Sequence, residues 1–139
     1  MTWSHRSRCQ NKKIGDASFA PTGEKSQQGI VVYHGITSNS RMGGNLVQWR
    51  SSRQDLVAKS TCEAELIAAS EALQQGEHIS IVIAEMTNAC CEIEVSSDNA
   101  AALHMVRNGS ETAWRTRHIS VKALWLHQMS RRGIRFTYQ

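Results

Sequence analysis

The chain has 139 residues, of which 40% are hydrophobic and 20% charged, with a net charge of +4; that is enough for one domain with a real core and too little for two of ordinary size. No apolar run is long enough to cross a bilayer, and MTWSHRSRCQNKK at the N-terminus lacks the apolar stretch of a secretion signal, so an intracellular protein with no membrane partner is expected, cytoplasmic or nuclear. Cys9, Cys62, Cys90 and Cys91 form no C-x-x-C pair and the six histidines are scattered, which excludes the usual zinc spacings and points to reduced thiols.

Residues 1–11 are expected to be a poorly ordered upstream segment, and residues 12–139 the folded domain. KKIGDASFA (12–20) sets Ile14, Asp16 and Ser18 against Gly15, Ala17 and Phe19, the alternation of a short strand. Pro21 and Gly23 mark a turn. QGIVVYHG (28–35) is rich in β-branched and aromatic residues and predicts a second strand. After the glycine-containing ITSNSRMGG, a third is expected around NLVQWRS (45–51). Three short strands so connected suggest an antiparallel meander.

A helix is then predicted from Ser60 or Thr61. Ser60 and Glu63 have the spacing of a capping box, and the helix is expected to reach Gly76 and to continue, with some irregularity, through EHISIVIAEM. CEIEVSS (91–97) alternates as a strand. DNAAALHMVRNG reads as a helix closed by Asn108 and Gly109. RHISVKALWLHQMSRRG (117–133) reads as another, and IRFTYQ as a last strand. The order β-β-β-α-β-α-α-β implies an α/β domain, a mixed sheet covered by helices.

Charge is unevenly placed. Between Arg107 and Gln139 lie seven cations and only Glu111 as an acid, a net of +6 that leaves −2 for the rest of the chain. Such a tail suits a polyanion such as nucleic acid. Arg131 and Arg132 also fit a helix C-terminus, but Arg115 and Arg117 precede that helix, at its unfavourable end.

Three acids stand out by position. Asp16 lies inside a strand, where Asp is disfavoured. Asp98 ends a strand and opens a helix, a place that also suits an N-cap shared with Asn99. Glu65 sits near a helix N-terminus, which stabilises any nearby acid. Singly, each fits a structural role. Folded in this order, the three can converge on one sheet edge, where they repel unless cations neutralise them. Oxygen ligands without Cys or His favour Mg²⁺ or Mn²⁺ over zinc. Two such ions, about 3.5–4 Å apart, can activate water and stabilise the leaving oxygen of a phosphodiester.

LVQWRSSRQDLVAKSTCEAELIAASEAL (46–73), with GDASFA, SSDNAAAL and RTRHISVKALWLHQM in the same order, resembles the RNase H domain of copia-type LTR retrotransposon Pol polyproteins. The resemblance runs from about residue 12 to the end. It implies the RNase H-like fold, hydrolysis of the RNA strand of RNA–DNA hybrids, a reverse transcriptase domain upstream, and two Mg²⁺ or Mn²⁺ ions. Carried over, Asp16, Glu65 and Asp98 match the first three of the family's four metal-binding carboxylates and are the expected catalytic residues. Glu63 is left to the capping box, since residues two apart point about 200° apart around a helix. Phe19 stands where the family usually has Trp, and Ser120 follows His118-Ile119 where it usually has Asp.

The family's fourth carboxylate follows the last strand, in a segment this sequence does not reach, so a C-terminally truncated fragment of a polyprotein is expected. The alternative is a catalytically inactive remnant that binds nucleic acid. An integrase-type polynucleotidyl transferase shares the fold, but its decisive Glu follows both Asp residues, whereas Glu65 lies between them.

Recognising a hybrid requires sensing 2′-hydroxyls across a shallow minor groove while cations track phosphates. Ser60 and Thr61 are candidate hydroxyl contacts and also candidate caps. Asn99 fits either a substrate contact or a cap. Arg115, Arg117 and His118 are the phosphate or rim candidates. Trp49, Trp114 and Trp125 are expected in the core or at an interface.

Overall fold

The computed structural model describes the backbone of residues 9–38, 41–108 and 117–138, and the side chains of 15–35, 44–108 and 121–138. Its elements follow the expected order: β1 (Cys9–Ser18), β2 (Gln27–Ser38), β3 (Arg41–Arg53), α1 (Thr61–Thr87), β4 (Glu92–Ser97), α2 (Ala100–Asn108), α3 (Arg117–Arg131) and β5 (Arg135–Tyr138). The five strands form one sheet in the order β3-β2-β1-β4-β5. β1 pairs antiparallel with β2 and β2 with β3, while β4 runs parallel to both β1 and β5. A meander on one side and parallel strands joined through helices on the other make the mixed sheet.

Boundaries differ from expectation in two places. β1 starts at Cys9, and Gln10 and Asn11 pair with Glu92 and Ile93 of β4. Cys9, Gln10 and Asn11 therefore belong to the sheet, because β2 on one side and, from Gln10 onward, β4 on the other pair with their backbone. β2 and β3 are also longer than their apolar cores, since each uses the other as a hydrogen-bonding template past the hydrophobic run. As expected, α1 continues past Gly76. A helical Gly costs about 1 kcal/mol relative to Ala, but Ile79 beyond it packs on Ile30, Val32 and Ala72. The Ser80 hydroxyl donates to the Gly76 carbonyl at 2.7 Å, and the helix ends at Asn88, whose left-handed φ of 54° suits Asn at a C-cap.

The start of α1 follows the capping-box reading. The Ser60 hydroxyl accepts from the Glu63 N–H at 3.1 Å, and the Glu63 carboxylate accepts from the Lys59 N–H at 2.9 Å. At the other end of the chain, α3 closes in a Schellman motif. Ile134 N–H donates to the Met129 carbonyl and Gly133 N–H to that of Ser130, with Gly133 at φ +101°. That turn sends the chain into β5.

The main core joins Leu66 and Leu73 of α1, Val95 of β4, Leu103 and Val106 of α2, Leu126 of α3 and Phe136 of β5. Burying each such side chain stabilises by roughly 1.5–3 kcal/mol, so the three helices are held to one another as well as to the sheet. β1 meets α1 at Gly15, where a Cβ would lie 2.9 Å from the Ala68 carbonyl oxygen. No larger residue permits this approach.

Trp49 is not in the core. It pairs with Val31, whose neighbours Ile30 and Val32 face α1, so the period-2 alternation places Trp49 on the other face, 71% exposed. Trp125 packs against the main core as expected, and Trp114 lies outside the described residues. Among the described residues no helix is long and apolar enough to cross a membrane.

Candidate metal centre

The parallel pairing of β1 with β4 sets Ile14 opposite Ser96. Two residues further along each strand direction lie Asp16 and Asp98, so both reach the same end of the sheet side by side. α1, drawn close over Gly15, brings Glu65 to that end. Glu65 is the fifth residue of α1, one turn in from the cap. There the helix N-terminus contributes little. One carboxylate oxygen from each of Asp16, Glu65 and Asp98 lies within 4.8 Å of the others. Asp16 and Asp98 are exposed; Glu65 is buried, 3% accessible.

Two contacts hold Glu65. Its Oε1 accepts from the Ala17 N–H at 3.1 Å, and its Oε2 accepts from the Ser97 hydroxyl at 3.4 Å. Each donor is the chain neighbour of one of the aspartates. Burial nonetheless pushes the Glu65 carboxyl up from 4.5 to about 7, against the Ala17 and Ser97 hydrogen bonds and helped by repulsion from Asp98 and Asp16. Three mutually repelling carboxylates from separate elements form a donor set suited to a hard divalent cation. The nearby Cys62 is not a competing soft ligand: burial, then the charges of Glu65 and Glu63, raise its thiol pKa and keep it protonated.

Asp98 is available for this role because Asn99 takes the cap of α2. Asn99 Oδ1 accepts from the Ala102 N–H at 3.0 Å, and its carbonyl accepts from Leu103.

No protein-family model matches the chain. The sequence is 34% identical, over 86 residues or 62% of its length, to the retrovirus-related Pol polyprotein from transposon TNT 1-94 of Nicotiana tabacum, and that match spans 6% of the polyprotein. The fold is similar to RNase H1 from the archaeon Halobacterium salinarum (TM-score 0.59, 15% identity, 94% of this chain and 83% of that one). It is also similar to LC11-RNase H1, solved with an RNA/DNA hybrid (TM-score 0.60, 13% identity, 94% and 85%). The chain has the RNase H-like fold and is similar in sequence to a stretch of a Pol polyprotein.

Ser60 and Asn99 are engaged as caps through their side-chain oxygens. Thr61 is exposed at the first position of α1. Arg115 lies outside the described residues; Arg117 and His118 open α3, but their side chains lie outside them too.

Part of the basic tail serves the fold. Arg135 pairs with Glu92 at 3.6 Å and Glu94 at 3.4 Å, Arg107 donates to the Phe136 carbonyl, and Lys122 reaches Ser70. These account for three of the seven cations counted in the tail.

Sequence reasoning missed Ser97 and the Ala17 N–H. A signal for Ser97 existed: it lies two residues after Val95 on β4, so alternation places it on the core-facing side. Nothing local identifies a backbone N–H as a ligand holder, because β1 and α1 meet only in the fold.

Proposed function

We propose that this domain is a retrotransposon-derived RNase H of the copia type, a divalent-metal-dependent endonuclease that hydrolyses the RNA strand of RNA–DNA hybrids. The observation that carries the reading is the meeting of Asp16, Glu65 and Asp98 on an RNase H fold. Two Mg²⁺ or Mn²⁺ ions, when bound, supply Lewis-acid polarisation and nucleophile activation for phosphodiester hydrolysis.

The chain's own residues divide the work. Exposed Asp16 and Asp98 present ligand oxygens at the open side of the site, and buried Glu65 anchors it from beneath, fixed by hydrogen bonds at both oxygens. Asn99 keeps an amide NH₂ for the minor groove while its oxygen caps α2. Thr61 and Ser60 offer hydroxyls at the start of α1. Arg115, Arg117 and His118 are assigned to phosphates at the rim, and a reverse transcriptase domain is the expected upstream partner.

A second reading is a catalytically inactive RNase H-like remnant. In that reading the domain binds hybrid without cutting it. A labelled RNA–DNA hybrid, incubated with Mg²⁺ or Mn²⁺, separates the two. The enzyme reading expects RNA-strand cleavage that EDTA and Glu65→Gln abolish. Hybrid binding without cleavage establishes the second reading, and neither binding nor cleavage removes both.

A further inference from the structure

Ser97 ends β4 and is 3% accessible. Its hydroxyl oxygen lies 3.2 Å from the Asn99 backbone nitrogen and 3.4 Å from Glu65 Oε2. A hydroxyl has one proton and two lone pairs. The Asn99 N–H occupies a lone pair, and an ionised carboxylate only accepts, so the proton belongs to the bond with Glu65. With Glu65 in the ionised form that binds metal, the hydrogen-bond directions are thereby set.

The two bonds act on different carboxylates. The bond from Asn99 closes a turn in which Ser97 and Asn99 flank Asp98, so it sets the backbone that aims the Asp98 side chain. The bond to Glu65 holds Oε2, while the Ala17 N–H holds Oε1. One hydroxyl thus orients two of the three clustered acids, and it comes from the strand that carries one of them.

We infer that Ser97 is a positioning residue of the metal centre, orienting Glu65 by hydrogen bond and Asp98 through the turn it closes. The inference rests on the metal-centre reading above. It predicts that ligand geometry, and with it metal affinity, depends on the hydroxyl more than folding does. At 3.4 Å the Ser97–Glu65 bond is long for O–H···O, so the effect belongs at the low end of the range known for groups that orient metal ligands.

The test uses the full chain and Mn²⁺ as the probe, with affinity measured by calorimetry and unfolding followed by circular dichroism in EDTA. Ser97→Ala is expected to weaken Mn²⁺ binding about tenfold and to remain folded. Ser97→Thr, which keeps the hydroxyl, is expected to bind within about threefold of the unaltered protein, on the same scale. Equal Mn²⁺ affinity in Ser97→Ala overturns the inference and leaves the metal centre standing. So does a loss in Ser97→Thr as large as in Ser97→Ala, because the hydroxyl is then not the cause. Unfolding of Ser97→Ala in EDTA overturns it as well, by assigning Ser97 to stability. Absence of Mn²⁺ binding in the unaltered chain removes the metal-centre reading itself, and this inference with it.

Discussion

The Glu65 side chain accepts a hydrogen bond from the backbone N–H of Ala17 at 3.1 Å, tying α1 to the strand that carries Asp16. The bond spans 48 positions in sequence and forms only because Gly15 lets β1 and α1 approach. It fixes one member of the carboxylate cluster against the backbone beside another, so the geometry of the site and the packing of helix on sheet depend on each other.

That dependence makes Gly15 a sensitive position. Gly15→Ala places a Cβ 2.9 Å from the Ala68 carbonyl oxygen, a backbone atom that cannot move alone. Overpacking of this kind typically costs about 1–3 kcal/mol, and urea denaturation should read a loss in that range. Because α1 must retreat, Mn²⁺ affinity should fall as well. Unchanged stability would show that the two elements separate freely.

The pH dependence follows from Glu65. Its carboxyl is pushed from 4.5 up to about 7, chiefly by burial, so the folded chain binds this proton more tightly than the unfolded one. The stability linked to it is fully present below about pH 4.5, falls as pH rises towards 7, and is level above that. In EDTA, Glu65→Gln should therefore unfold at a higher temperature than the unaltered chain, with a gap that opens between pH 5 and 7 to roughly 10 °C and then stays constant. Adding Mg²⁺ should narrow it by stabilising the ionised carboxylate. A gap independent of pH from 5 to 8 would contradict the assignment.

Asn99 has a capping role that can be separated from substrate contact. Asn99→Ala removes the acceptor for the Ala102 N–H and should cost about 1 kcal/mol. Asn99→Ser keeps a capping oxygen and should lose only a few tenths of that. If the amide NH₂ meets the substrate, both variants bind hybrid more weakly in a fluorescence anisotropy titration. Full hybrid binding by Asn99→Ser would confine Asn99 to the cap.

The cysteines should label in a set order. Cys90 is exposed, whereas burial and then the neighbouring Glu65 and Glu63 charges raise the pKa of the half-buried Cys62. With iodoacetamide at pH 8, mass spectrometry should find Cys62 modified at least about tenfold more slowly than Cys90. Equal rates would mean that α1 opens readily at its N-terminal end.

Much of the fold is legible in local pattern, because alternation, caps and turn residues act over a few positions. Ser60 and Glu63 announce the start of α1, and Gly133 marks the end of α3. Gly76 weakens α1 locally, and Ile79 beyond it is held by packing on Ile30 and Val32. One position misleads for a physical reason. Trp49 looks like core until its pairing with Val31 puts it on the opposite face from Ile30 and Val32.

Residue order and type alone determined the element sequence, the capped start of α1, the end of α3 and the three acids worth following. Only the tertiary structure decided that these acids meet. The parallel register of β1 and β4 puts Asp16 and Asp98 side by side, the close approach at Gly15 brings in Glu65, and Asn99 takes over the cap that Asp98 was also fit to fill. Each depends on contacts between residues distant in sequence, which no local propensity encodes. The raised pKa of Glu65 has the same origin, since burial and repulsion arise only once the chain has closed around it.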